Sequence, residues 1–155
     1  MSNSAIPDLI SEDIFRFGPG DRYALPIGTA APDALALSQM AKKCRTRHES
    51  LLVICADPLD AVRLGQEIPW FSPELGVRSL PDWETLPYDV LSPQEDIVSE
   101  RLETLYRMTS GTKGLDVVIA SAVTAAQRMA PVAYVGANTF FSVSYTHLTL
   151  PTNSL

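Results

Sequence analysis

LLVICADPLDAVRLGQEIP, Leu51 to Pro69, is the stretch on which the fold turns. LLVICA, Leu51 to Ala56, is a short continuous apolar run. That is the pattern of a parallel strand covered on both faces rather than of a strand with one wet side. Asp57 and Pro58 then suit the N-cap and first position of a helix. A carboxylate there accepts a free backbone N–H, and proline lacks an N–H that would have been orphaned anyway. Ala61, Leu64 and Ile68 follow at helical spacing, and Pro69 is expected to end the helix.

The same alternation extends in both directions. Upstream, RYALPIG, Arg22 to Gly28, reads as a short strand ending in a glycine. Pro32 and Asp33 open a helix whose buried face is Leu37, Met40, Ala41 and Cys44. Downstream, VRSL, Val77 to Leu80, is a further strand. After Gly111 and Gly114, DVVIAS, Asp116 to Ser121, repeats the buried-strand pattern, and TAAQRM continues as a short helix. Strand and helix in alternation predict an α/β fold: a doubly wound, mostly parallel sheet with flanking helices. Residues 1–21 form an N-terminal arm whose apolar patch, Ile14, Phe15 and Phe17, suits docking.

LPDWETLPYDVLSPQEDIVSERLETLYRM, Leu80 to Met108, starts aromatic and proline-broken and turns into a helix. Ser92 is the expected N-cap, Pro93 the first helical residue, and Glu95 the return partner of a capping box. Ile97, Val98, Leu102, Leu105 and Met108 make the apolar stripe. Glu103 and Arg107 make an exposed i, i+4 pair worth about 0.2–0.5 kcal/mol. Before this helix, PDWETLPYD is held extended by its prolines and is expected to cross the C-terminal edge of the sheet. Trp83 and Tyr88 are expected to pin it there as packing anchors rather than as a stacking platform.

Composition narrows the function classes. The 155 residues suit one domain, which at this size buries about 68–70% of its unfolded surface. Hydrophobic residues at 46% and charged residues at 19% exclude a disordered or coiled-coil chain. A net charge of −6 argues against gripping nucleic acid unaided. The basic cluster Lys42, Lys43, Arg45, Arg47 and His48 falls in the last turn of a helix, where cations complement the dipole. Cys44 and Cys55, eleven residues apart with no CxxC, make neither a zinc site nor a disulfide framework, so a reduced cytoplasm is the expected setting. The N-terminus lacks a basic, then apolar, export signal, and LLVICA is far too short to span a membrane.

Where this architecture would carry a phosphate loop stands GTAAPDA, Gly28 to Ala34. A working loop, G-x-x-x-x-G-K-[ST], cradles phosphates with backbone N–H groups, lysine and a magnesium-holding hydroxyl. At Gly28, Thr29, Ala30, Ala31, Pro32 and Asp33 the second glycine, the lysine and the final hydroxyl are missing, and Pro32 removes an N–H. No ATP site is expected in this segment. Asp57, at the end of an apolar strand, is explained by its capping role rather than by magnesium. Ser121 lacks a nucleophile elbow, and His48 and His147 have no acid or nucleophile beside them in sequence. No catalytic residue and no metal site are expected.

One run is specific enough to carry a family resemblance. Asp82, Trp83, Glu84, Thr85, Leu86, Pro87, Tyr88 and Asp89, then Ser92 and Pro93, Asp96 and Ile97, Arg101 and Leu102, and Thr104 to Tyr106 resemble the N-terminal region of the bacterial transcription-repair coupling factors. Fainter similarity runs from about Tyr23 to Val135. The resemblance implies that residues 22–142 are the first subdomain of a module similar to the excision-repair protein UvrB, a helicase-type domain whose phosphate loop has been lost. It further implies a parent protein similar to superfamily 2 DNA translocases, which uses ATP and Mg to push RNA polymerase off a lesion and recruits UvrA. The expected partners are the remainder of its own chain and, through the parent, UvrA, RNA polymerase and DNA, with no membrane. For this segment it implies a non-catalytic scaffold. A free-standing α/β interaction domain and a nucleotide-binding enzyme with an unorthodox phosphate site are the competing readings.

The end of the chain departs from the family pattern. VSYTHLTLPT, Val143 to Thr152, reads back to a codon string that looks like a transposon-end adapter used for sequencing libraries. Val143 and Tyr145 start an alternating apolar phase that Leu148 and Leu150 reverse, so no strand face would be consistently buried. Residues 143–155 are therefore expected to be a non-native tail.

Overall fold

The computed structural model describes residues 9–11, 15–16, 18–25, 31–83, 94–110 and 114–138. In chain order the elements are α1 (Ala31–Thr46), β1 (Leu51–Cys55), α2 (Pro58–Phe71), β2 (Val77–Leu80), α3 (Glu95–Ser110), β3 (Val117–Ser121), α4 (Ala122–Ala126) and α5 (Val132–Asn138). The strands form a parallel three-stranded sheet in the order β1-β3-β2. Leu51 and Val77 both stand opposite Val117, so the three strands share one C-terminal edge.

Alternation along β3 divides the core. Val117 and Ile119 point to one face and pack with Ala34 and Ala41 of α1 and Leu64 and Ile68 of α2. Val118 and Ala120 point to the other and pack with Leu105 of α3 and Val135 of α5. Helices on both faces of a parallel sheet are the doubly wound arrangement. β3 is central, and all five of its side chains, Ser121 included, are buried, as only a strand flanked and covered on both sides can be.

The local signals in Leu51 to Pro69 act as expected at one end and not at the other. Asp57 caps α2, its side chain accepting from Leu59 N at 2.8 Å, with Pro58 in the first turn. Pro69, however, lies inside α2, which continues to Phe71. A proline in the last turn removes the bond its own N–H would have made and crowds the carbonyl four residues back, yet the helix continues, with Ile68 O accepting from Ser72 N at 3.0 Å. LLVICA is corrected too. In β1 Leu51, Val53 and Cys55 meet the α1–α2 layer, but Leu52 and Ile54 are 52% and 55% exposed. β1 is an edge strand, and the helices on the second face stop short of it.

Three other expectations shift. Residues 22–25 form no strand, and Tyr23 is exposed; residues 26–28 lie outside the described set. Arg22 to Leu25 lacks the uninterrupted apolar run that lets β1 and β3 enter a covered sheet. α3 begins at Glu95, its first bond running from Val98 N to Gln94 O, so Glu95 opens the helix; Ser92 and Pro93 lie outside the described residues. α4 covers Ala122–Ala126, earlier than the span read from TAAQRM, because Ser121 caps it by accepting from Thr124 N at 3.1 Å.

The basic end of α1 is not merely solvated. Arg45 donates to Glu74 O at 2.7 Å, Lys42 pairs with Glu74 at 3.0 Å, and Lys43 donates to Ile10 O. Arg47 stacks 4.3 Å from the Phe15 ring, and Leu9 N donates to Gln39 Oε1 at 2.7 Å, so described parts of the N-terminal segment lie on α1. Ile14 and Phe17, read as part of the same docking patch, lie outside the described residues. The helix itself closes with His48 in the left-handed region, φ 60, and bonds from His48 N to Arg45 O and from Glu49 N to Cys44 O. These are the paired bonds of a Schellman ending.

Candidate functional site

Two places were marked in the sequence, the head of α1 and the run around Trp83, and the fold gives the described residues of each a definite geometry. At the head of α1, Asp33 stands in the first turn, where a carboxylate complements the exposed N–H groups, and accepts from Ala34 N at 2.7 Å. Its two oxygens are gripped by Arg63 of α2, at 3.1 Å to Nη1 and 2.8 Å to Nη2. Arg63 also meets Asp60 at 3.2 Å and Glu67 at 2.8 Å. The guanidinium hydrogen-bonded to it holds the Asp33 carboxyl below its usual value, against the opposing effect of burial. Three carboxylates in turn hold Arg63 firmly in its charged form. Arg63, Asp60 and Glu67 gave one sequence signal, their i+3 and i+4 spacing; nothing local links them to Asp33, thirty residues away.

This pair has a pH signature. A lowered carboxyl value means that its stabilisation is present above the unfolded value of about 3.9 and is lost as pH falls through the folded one. Asp33→Asn is therefore expected to cost about 1–2 kcal/mol at pH 7, the scale of a charge-assisted bond. The gap between mutant and wild type in urea melts should begin to narrow as pH drops below about 4 and close only as pH falls through the lowered folded-state value. A gap that stays constant from pH 7 to pH 3 would assign the effect to packing instead.

The second place lies at the shared C-terminal edge of β2 and β3. Pro81, Asp82 and Trp83 leave β2 there, Gln127 follows α4, and α3 brings Arg101 underneath. Arg101 is 1% exposed; Nη1 donates to Pro81 O at 2.6 Å, and its guanidinium lies 4.8 Å from the Trp83 ring centre. Asp82 Oδ1 accepts from Trp83 N at 2.7 Å and from Gln127 Nε2 at 2.5 Å. Burial pushes the Arg101 pKa down, while the charge of Asp82 works the other way. Trp83, expected as a packing anchor, is half-buried and covers the buried guanidinium. Glu84, Thr85, Leu86, Pro87, Tyr88, Asp89, Ser92 and Pro93 lie outside the described residues, as do Gly28, Thr29 and Ala30. Gln127, which the sequence did not single out, ties the end of β3 to the start of the run.

Chemically, these arrangements hold the backbone rather than activate a bond. Asp57 and Ser121 are engaged as helix caps, and Ser121 Oγ also sits 2.9 Å from Thr124 Oγ1. Cys44 and Cys55 are buried free thiols whose pKa values burial pushes up, the opposite of an activated nucleophile. His48 is used in the turn after α1, and His147 lies outside the described residues. Among the described residues no group of His, Cys, Asp or Glu could hold a metal ion, and no helix is long and apolar enough to cross a membrane. A cleft of about 660 Å³ opens at the opposite, N-terminal edge of the sheet, floored by Leu52, Leu115 and Val118. The arginines on its rim, Arg45 and Arg107, are paired with Asp116 at 3.7 Å and Glu103 at 2.7 Å.

Comparison with known proteins returns one kind of relative. The chain is 38% identical over 117 residues to the transcription-repair-coupling factor of Escherichia coli, which covers 71% of this chain and 10% of the relative. It is 34% identical over 120 residues to the protein of that name from Haemophilus influenzae, covering 77% and 10%. A third, from Rickettsia bellii, is 29% identical over 87 residues, covering 56% of this chain and 8% of the relative. The chain thus spans about a tenth of the length of the relatives it matches. No family model matches it.

Proposed function

The chain carries a region of the transcription-repair coupling factor family, and on that premise we propose that it is a non-catalytic α/β scaffold within a DNA-repair protein. The observation that carries this reading is the head of α1. A nucleotide would need free backbone donors and a lysine there, whereas Asp33 presents a carboxylate within a cluster of three carboxylates around the single guanidinium of Arg63. A triphosphate approaching that turn meets negative charge first.

In this reading the segment is the first part of a UvrB-like module, and chemistry belongs elsewhere in a longer polypeptide. That polypeptide acts as an ATP- and Mg-dependent DNA translocase in the cytoplasm, removing stalled RNA polymerase and recruiting UvrA. The present residues position the recruiting surface and help restrain the motor. The chain leaving β2 at Pro81 and Asp82, braced by Arg101 and Gln127, suits a rigid support.

The reading is tested by melting the chain with and without Mg-ATP. No shift is expected. A ligand at a hundred times its dissociation constant would add about 2.7 kcal/mol, on the order of 5–10 °C for a domain of this size. A shift of that size would overturn the scaffold assignment in favour of a nucleotide-binding one.

A further inference from the structure

α2 carries two apolar stripes. The inner one, Ala61, Leu64 and Ile68, packs into the core. The outer one, Leu59, Val62 and Trp70, shares a helical face with the exposed Gln66, at steps of three, four and four residues. Leu59 is 77% exposed, Val62 58% and Trp70 87%. Single exposed apolar residues are ordinary, but three aligned on one helix face, with a tryptophan at the end, are the composition of an interface centre. Beside the stripe run Asp60, Arg63 and Glu67; with Asp33 they set three carboxylates against one guanidinium, so that flank is net negative.

We propose that this outer face of α2, Leu59, Val62 and Trp70, docks onto another segment of the same longer polypeptide, one presenting an apolar face edged by lysine or arginine. The proposal rests on the scaffold reading. The basic edge follows from the charge of the flank. The choice of the protein's own chain follows from length: the matched region is 10% of the relatives, so most of the polypeptide lies outside it. A tethered segment competes at an effective concentration of about millimolar, ahead of any free partner.

The test uses a full-length coupling factor that carries this sequence, with a photo-crosslinking benzoylphenylalanine at position 70. The expected product is an intramolecular crosslink to a peptide rich in apolar and basic residues. Trp70→Glu and, at the other end of the stripe, Leu59→Glu should each raise the rate of limited proteolysis between this unit and the rest by about tenfold or more, the scale of losing an aromatic anchor. Glu100→Lys, exposed on α3, should leave that rate unchanged. No crosslink, a crosslink to a second copy or to a different protein, or unchanged proteolysis in both stripe variants would overturn the proposal. Those outcomes leave the Mg-ATP melt as it was, so the docking surface and the scaffold assignment can fail separately.

Discussion

Gly76→Ala is expected to destabilise the fold by about 3 kcal/mol or more, the upper range for forcing extra volume into a packed site. Gly76 sits just ahead of β2, where the chain is stitched to β3 from three directions. Its N–H donates to Asp116 Oδ2 at 2.8 Å, and its carbonyl accepts from Asp116 N at 2.8 Å and Val117 N at 3.0 Å. A Cβ at this position would stand 1.7 Å from Gly114 O and 2.7 Å from its carbonyl carbon. Both are backbone atoms, so no side-chain rotation relieves the clash. Gly114 in turn sits at φ 99, a conformation other residues rarely adopt. Relief requires the β2–β3 register to open where the sheet begins. Urea denaturation of the mutant should show an unchanged slope and a much lower midpoint. A loss under about 1 kcal/mol would mean that the two strands are less tightly joined there than the contact requires.

Arg101→Ala is the second large effect, expected at about 3 kcal/mol. It removes a buried side chain, strands Pro81 O without its donor, and takes away the cation beneath Trp83. Arg101→Met should cost clearly less. It keeps the volume and lifts the desolvation penalty that already pushes the guanidinium's pKa down, and among the described residues Nη2 has no hydrogen-bond partner to lose. Tryptophan emission gives a second readout. Trp70 is 87% exposed and reports solvent in every variant, so a change on removing Arg101 must come from Trp83. Equal stability for alanine and wild type, with unaltered emission, would show that Arg101 does not brace the sheet edge.

Much of the fold was legible because its determinants are local. The apolar run Val117 to Ala120 suits a strand covered on both sides, and an aspartate followed by proline suits the start of a helix. The Glu103–Arg107 pair, 2.7 Å apart, follows from four-residue spacing alone. Resemblance added the family through the run at Asp82 to Tyr106, but it could not say what those residues touch.

What tertiary structure decided was the order of the strands and every partnership that spans it. LLVICA is wholly apolar and DVVIAS is bounded by Asp116 and Ser121, yet the first is an edge strand with Leu52 and Ile54 open and the second is central. Nothing within either run ranks them; α3 and α5 pack on Leu80, Val118 and Ala120 and leave Leu52 and Ile54 open. Arg101 stood out only as part of the family run, while Met108 belonged to the apolar stripe of the helix. The fold buries the arginine and leaves the methionine 41% exposed, because α3 is rotated so that Arg101 and Thr104 face the end of β2. Asp33 with Arg63, and Asp82 with Gln127, lie 30 and 45 residues apart. Helix periodicity and capping act over four residues, so sequence settles most of the helices and buried strands, though neither the strand expected from Arg22 nor α5; pairs at such separations exist only once packing has brought the elements together.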